Sequence, residues 1–437
     1  MFPAAVDKVL ARLEAAGYEA YAVGGSVRDL LRGKAPDDWD MTTSARPQEV
    51  MALFEGHAIP TGLQHGTVTV RQDGQSFEIT TFRADGDYTD SRHPDAVTFS
   101  DSLQEDLCRR DFTVNAMAMD RRGALTDPFG GREDLQKGII RCVGEADRRF
   151  GEDALRIMRG LRFASVLGFS IEKDTARSIR DNRERLKNIA IERILVEMDK
   201  LLCGEGAGEI LLGYPEVFGV FLPEIMPCVG FDQRSKYHCY TVWEHIVHAV
   251  EAAPRDNVLR WAMLLHDIGK PACFTVDEQG QGHFYGHDGI SADMAADICR
   301  RLRMDKQRAM RIELLVRRHG PDLPASKKSM LRLLNAIGEE ALRQLCEVKR
   351  SDNMAQDRVF HDRQKDIDES EQLLSQVLRE KPCFTLQQLA VDGRDMMALG
   401  LQGREIGAML QTLLQTVLDG ELPNERDALL RRAEEEK

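Results

Sequence analysis

A chain of 437 residues, 42% hydrophobic and 30% charged, is long enough for about two to four domains with sizeable cores, and its net charge of −13 argues against an indiscriminate nucleic-acid binder. No stretch approaches the apolar length of a membrane span, and Met1 to Gly17 carries charges in an amphipathic helical pattern, so a cytoplasmic location and no membrane partner are expected. The nine cysteines contain no C-x-x-C pair, which argues against a disulfide framework and a thiolate zinc site.

In chain order, the first informative stretch is Tyr21 to Thr43. A short β-type run, Tyr21 to Val23, ends in Gly24-Gly25, where backbone N–H groups can approach a phosphate without Cβ obstruction. A helical pattern starts at Ser26 and puts Arg28 one turn in. After a loop around Pro36, Trp39-Asp40-Met41 resumes an extended pattern, and on a strand the spacing of Asp38 and Asp40 places both carboxylates on one face. Paired carboxylates facing open space favour a divalent cation, and hard oxygen ligands completed by substrate phosphates suit Mg²⁺. Two such ions would activate a hydroxyl and stabilise a leaving pyrophosphate. The order of glycine turn, helix, loop and Asp-x-Asp therefore points to metal-dependent nucleotidyl transfer.

His65 to Val70 and Gln75 to Phe82 alternate around Asp73-Gly74 and predict a hairpin beside the Asp-x-Asp strand. Glu78 on its second strand is either a third carboxylate at the metals or an exposed strand position. A polar loop, Arg83 to Pro94, follows. Arg109-Arg110-Asp111 then precedes an apolar run containing Asn115, with Asp111 expected to cap a helix and the arginines suited to triphosphate oxygens. Asp127 to Gly131 reads as a turn cluster and a domain edge. From Phe150 onward helical patterns dominate, marking the change from an α/β head to an α body.

The opening helix of that body, Gly151 to Phe163, places Asp153 and Arg156 at i and i+3, on one face. Alone, that pair is also what a surface ion pair looks like. Seven of the eleven histidines fall between His238 and His319. His245 lies on a helix predicted over Thr241 to Ala252, His266-Asp267 ends the apolar helix Leu259 to Ile268, and Asp352 ends a later helix; His283, His287 and His319 are further candidates. Imidazoles and carboxylates spread over several helices suit a transition-metal or mixed-metal hydrolytic site. Arg300 to Arg350 holds fourteen Lys or Arg against six Asp or Glu, either a basic face or a solvated helix surface. The tail has helical patterns over Gly393 to Gly400 and Ile406 to Val417.

With these residues in view, the chain resembles bacterial tRNA nucleotidyltransferases, the CCA-adding enzymes of the class that also includes bacterial poly(A) polymerases, over nearly its whole length. The motifs are Gly24-Gly25-Ser-Val-Arg28-Asp29 with Asp38-Trp-Asp40, then Arg109-Arg110-Asp111 with Asn115, then Glu152-Asp153-x-x-Arg156. His245, His266-Asp267 and Asp352 resemble an HD-type phosphohydrolase domain, which some members carry. The resemblance implies an α+β protein: a nucleotidyltransferase head at 1–145, a helical body with a base template at 146–230, an HD domain at 231–365 and a tRNA-binding tail at 366–437.

The same resemblance implies transfer from CTP and ATP to tRNA with release of pyrophosphate, Mg²⁺ on Asp38 and Asp40, and a possible second metal, Ni, Co or Mn, on His245, His266, Asp267 and Asp352. Nucleotide-binding residues would be Gly24, Gly25, Arg28, Arg110, Asp111, Asn115, Asp153, Arg156, Arg159 and Arg162, with Arg83 a lesser candidate. DNA is not an expected partner. Thr61 to Val70 and Arg109 to Ala118 look like the CCA-adding branch, and the complete loop Arg83 to Pro94 favours full CCA addition. Cytosine and adenine share an exocyclic amino donor beside a bare ring nitrogen, so an accepting Asp153 next to a donating Arg156 complements both and opposes uracil and guanine. Three rivals stand beside this reading: a poly(A) polymerase, an HD phosphohydrolase whose head only binds nucleotide, and a non-catalytic RNA-binding protein, which the intact Asp38 and Asp40 pair disfavours.

Overall fold

The computed structural model describes residues 2–85, 97–235, 239–380 and 382–437, and the chain divides into two compact units, Met1–Met226 and Pro227–Lys437. The α+β organisation expected from the patterning is present: a mixed sheet near the N-terminus, helices after it.

In the first unit, β1 (Ala20–Val23), β2 (Asp40–Thr43), β3 (Ala58–Gly62), β4 (Thr67–Gln72) and β5 (Gln75–Thr81) form one sheet in the order β3-β4-β5-β2-β1, extended past β1 by Ala118–Met119 and Leu125–Thr126. The β4–β5 hairpin turns at Asp73 and Gly74, both at positive φ (51° and 78°), as a tight two-residue turn with the right-handed strand twist requires. β2 runs antiparallel to β1 and parallel to β5, which sets Asp40 opposite Val23 on one side and opposite Glu78 on the other. Register alone therefore brings the residue before the glycine turn beside the metal-type carboxylate. The helix Ala4–Ala15 buries Val6, Val9, Leu10 and Leu13, spaced for one helical face, and packs near β1 and β4.

Three local expectations are corrected. Asp38 lies in a bend before β2, so the two carboxylates do not share a strand face. Asp111 caps no helix; only the 3₁₀ turn Thr113–Asn115 follows, and the Asp111 carboxylate accepts from the N–H of Phe112 at 2.8 Å. The expected helix Gly151 to Phe163 is two helices, Ala146–Glu152 and Leu155–Leu167, with Asp153 extended between them (φ −141°, ψ 105°). The Asp153 carboxylate accepts from Leu155 N at 3.0 Å, the side-chain competition with helical backbone bonding that makes aspartate a helix boundary residue. The second helix is buried nearly all round and packs on Ile191–Leu202.

The second unit is helical apart from a ribbon of Thr275–Val276 and Gly282–His283. His245 sits on Val242–Ala252, which starts with a reciprocal cap between Thr241 and Glu244. His266 closes the helix Asn257–Leu265, and Asp352 lies near the end of Lys327–Met354, which kinks at Gly338. The tail forms Gly393–Ala398, Arg404–Leu418 and Arg426–Glu436. Within the basic segment, Arg311, Arg317, Arg343 and Arg350 each pair with Asp or Glu, which favours the solvated-surface reading. Among the described residues no helix is long and apolar enough to cross a membrane. Of the polar loop Arg83 to Pro94, Arg83–Asp85 pairs with Val97–Phe99; residues 86–96, like Tyr237 and His238, lie outside the described residues.

Candidate active site

The head holds a cavity of 440 Å³ whose lining includes six arginines and three aspartates, Asp40, Asp111 and Asp153. Gly24 forms its edge with φ 71°, and a Cβ there would stand 3.1 Å from Arg110 Nη1 and 4.0 Å from Asp40 Oδ2. The positive φ requires glycine at that position, and a Cβ would in addition push Arg110 aside by a few tenths of an ångström. Asp40 is exposed at the mouth; lost hydration raises its pKa, Arg110 opposes the rise and Asp38 adds to it. Two carboxylates that repel each other, with only oxygen donors, fit a hard divalent cation.

The arginines are held by buried carboxylates. Asp106, fully buried, binds Arg109 through Oδ1 at 2.8 Å and Arg110 through Oδ2 at 3.3 Å. Burial would raise its pKa, and these two guanidinium groups outweigh that and hold it low. A second relay runs from Arg28 Nη1 to Asn115 Oδ1 at 2.7 Å, from Asn115 Nδ2 to Asp111 Oδ1 at 3.2 Å, and from Arg159 to Asp111 Oδ2 at 2.6 Å. Here too burial opposes ionisation, but Arg159 holds the Asp111 pKa at about 2. Asp111 and Asn115 thus orient Arg28 and Arg159, leaving a fixed electropositive wall suited to triphosphate oxygens.

At the other end, Arg156 donates from Nη1 to Glu152 at 2.8 Å and from Nη2 to the Arg109 carbonyl at 3.1 Å. Asp153 is held separately, by Leu155 N and by Arg193 Nη2 at 3.4 Å, so Asp153 and Arg156 line one cavity from different supports. Arg162 lies 3.8 Å above the Phe163 ring and pairs with Glu197 at 2.5 Å.

In the second unit four imidazoles converge on one carboxylate. His245 Nε2 is 3.1 Å from Asp267 Oδ2, 3.0 Å from Asp352 Oδ1 and 3.2 Å from His266 Nε2. On the other oxygen, Asp267 Oδ1 is 3.3 Å from His287 Nε2 and 3.5 Å from His319 Nε2, themselves 3.2 Å apart. Every Nδ1 faces a backbone carbonyl: Ala355 for His245, Met263 for His266, Phe284 for His287 and Val316 for His319. A proton on each Nδ1 turns the lone pair of each Nε2 inward, the outer support that metal-ligating histidines use. Asp267 is buried, and neither of its oxygens makes a well-formed hydrogen bond, although Lys270 Nζ stands 2.6 Å from Oδ2. Burial disfavours the charge, yet His266 and Lys270 hold the carboxyl well below the usual range. These residues fit two cations, one among His245, His266, Asp267 and Asp352 and one among Asp267, His287 and His319.

Three families match the chain in sequence: the poly A polymerase head domain over residues 20–141, the probable RNA- and SrmB-binding site of polymerase A over 168–227, and the HD domain over 236–372. The CCA-adding enzyme of Lactiplantibacillus plantarum is 35% identical over 431 residues, covering 98% of this chain and 94% of that one. The chain belongs to the CCA-adding enzymes. The CCA-adding enzyme of Geobacillus thermodenitrificans is 48% identical over 262 residues, 60% of this chain, so that the match spans 62% of the relative's length. The solved CCA-adding enzyme of Bacillus stearothermophilus in complex with CTP superposes with a TM-score of 0.76 at 31% identity, covering 100% of this chain and 98% of that one.

Within this CCA-adding enzyme fold, every expected nucleotide-binding residue except Arg83 lines the head cavity. Arg83 instead donates to the His65 carbonyl at 2.6 Å. Asp38 and Glu78, both exposed, are not among the lining residues, although Glu78 stands in register with Asp40. His283 belongs to neither metal-type cluster and pairs with Asp277 at 2.8 Å. The supports Asp106, Arg193 and Lys270 carry no motif in the sequence. Arg193 is distant in the chain from its partner, and no local spacing marks Asp106 or Lys270 among ordinary charged residues.

Proposed function

We propose that this chain adds CCA to the 3′ end of tRNA from CTP and ATP, releasing pyrophosphate. The observation that carries the proposal is the single cavity in which Asp40, the Asp106-anchored and Asp111-anchored arginines, and the Asp153–Arg156 pair converge. Relatives named as CCA-adding enzymes, one solved with CTP, support it. The tRNA 3′-hydroxyl attacks the α-phosphate of the bound nucleotide, and positioning and electrostatics carry most of the rate. Arg28, Arg110 and the Gly24-Gly25 backbone steady the triphosphate, with Arg159 and Arg162 beside them. Asp38 and Asp40 would hold Mg²⁺, which when bound activates the hydroxyl and neutralises pyrophosphate charge. Asp153 accepts from the amino group of cytosine or adenine, and Arg156 donates to the adjacent ring nitrogen; uracil and guanine present the reverse pattern.

With this function go the division into head (1–145), body (146–230), HD domain (231–365) and tRNA-gripping tail (366–437), and a cytoplasmic location, where tRNA and both nucleotides meet. The test is purified protein, tRNA lacking its 3′ end, Mg²⁺ and each labelled nucleoside triphosphate in turn. Two C and one A are expected; a long A tract with no use of CTP would establish a poly(A) polymerase instead.

A second activity, phosphoester hydrolysis in the HD domain with Ni²⁺, Co²⁺ or Mn²⁺, is favoured by the buried carboxylate of Asp267 set between four inward-facing Nε2 atoms. Hydrolysis of phosphoesters by the purified protein with these cations, and not with Mg²⁺ alone, tests it.

A further inference from the structure

Among the described residues that line the head cavity, one apolar side chain stands between six arginines and three aspartates: Phe163, 7% exposed. It follows Arg156 and Arg159 by seven and four positions on Leu155–Leu167, a spacing that keeps all three on one helical face. Three guanidinium groups stand within reach of its ring, Arg162 at 3.8 Å from the centroid and Arg28 and Arg159 at 5.4 Å each. Each also has a carboxylate of its own, Asp29 for Arg28 at 2.9 Å, Asp111 for Arg159 at 2.6 Å and Glu197 for Arg162 at 2.5 Å. The ring is what the three share. Burial lowers the Arg162 pKa, with Glu197 opposing the shift and Arg159 adding to it, as expected where cations crowd together.

The ring is itself fixed in place. Phe112 meets it edge-on, with 5.9 Å between centroids at 77°, and Gly160 leaves Phe112 room, since a Cβ there would stand 3.0 Å from the Phe112 Cζ. Like charges held this close repel one another. A further carboxylate among them would relieve the repulsion, but it would also cancel the positive charge that a triphosphate needs. The negative face of an aromatic ring attracts cations and carries no net charge, so it gathers them without neutralising the wall. We propose that Phe163 is a positioning residue for the triphosphate of the incoming nucleotide: its ring holds Arg28, Arg159 and Arg162 together in the arrangement that receives the phosphate oxygens. The role rests on the proposed function and deepens it, because it assigns triphosphate affinity, and not base choice, to an apolar side chain.

The experiment measures tRNA extension by the full chain: KM and kcat for CTP and ATP, and the inhibition constant of inorganic tripolyphosphate, which has no base, against CTP. Phe163 is replaced by Leu and, through amber suppression, by phenylalanines with increasing numbers of ring fluorines, which keep the shape of the ring and drain its negative face. In Phe163→Leu both KM values and the tripolyphosphate constant should rise about tenfold, with kcat within about twofold of the wild type and discrimination against UTP and GTP unchanged. Across the fluorinated rings the same constants should climb with each fluorine, while the melting temperature stays level. Fluorinated proteins that all match the wild type overturn the role, whatever Phe163→Leu does, by making the ring a space filler. A change in discrimination with an unchanged tripolyphosphate constant also overturns it, by placing Phe163 at the base. A wild type that uses neither CTP nor ATP would overturn the proposed function itself, and the role would fall with it.

Discussion

Glu152 holds Arg156: one carboxylate oxygen of Glu152 accepts from Arg156 Nη1 at 2.8 Å and from Arg149 Nη1 at 2.7 Å. The guanidinium proposed to read the base is thus aimed by the residue before Asp153, not by Asp153 itself. Arg156→Ala should reduce discrimination against UTP and GTP roughly tenfold to a hundredfold, since one base-edge contact is worth about 1–3 kcal/mol. Glu152→Ala should move it in the same direction with little change in triphosphate affinity, because Arg28 and Arg110 hang on other carboxylates. Misincorporation assays with all four nucleotides check both. A wild-type preference in Arg156→Ala would reduce the pair to a helix-boundary contact.

If the proposed function holds, Asp40→Ala abolishes incorporation of both C and A while tRNA affinity stays within about twofold, since that reading puts the metal on Asp40 and the tRNA grip on the tail. Filter binding beside the incorporation assay separates the two effects. Any substantial residual transfer would remove Asp40 from the mechanism.

Asp111 links the head to pH. Its folded pKa of about 2 is below the unfolded value of 3.8, so its ionised form stabilises the fold fully above about pH 4 and that contribution is lost as pH falls through about 2. Asp111→Asn should therefore cost roughly 2 kcal/mol near pH 6. The gap between mutant and wild type should shrink below pH 4. Denaturant melts at pH 6 and pH 3 measure it, and a gap that does not narrow would show that packing rather than the Arg159 ion pair carries the effect.

Metal uptake tests the HD cluster. With Asp40→Ala as the background, so that the head carboxylates do not contribute, the chain should take up two Mn²⁺, one after His287→Ala, and neither at full occupancy after Asp267→Asn, because only Asp267 serves both positions. With Asp40 intact, CCA addition should survive each HD change. A background chain saturating at one ion would leave His287 and His319 as a structural pair.

Much of this protein is carried by local sequence. The glycine turn, the strand before it and the β4–β5 hairpin follow from neighbouring residues, because backbone strain and side-chain alternation act within a few positions. Residue types with narrow chemistry, such as His266-Asp267 or Arg109-Arg110-Asp111, also identify themselves in sequence by what they can bind. What they touch was a tertiary matter. Asp153 breaks its helix because its carboxylate finds Leu155 N and Arg193, Arg28 meets Asn115 across 87 positions, and His245 meets Ala355 across 110. No spacing rule reaches so far, since burial and charge compensation at such sites depend on which distant elements happen to pack together. Local sequence carries the available chemistry and the elements that hold it; that Asp267 faces four imidazoles at once is a product of the fold, because its two oxygens could be gathered only by helices meeting in space.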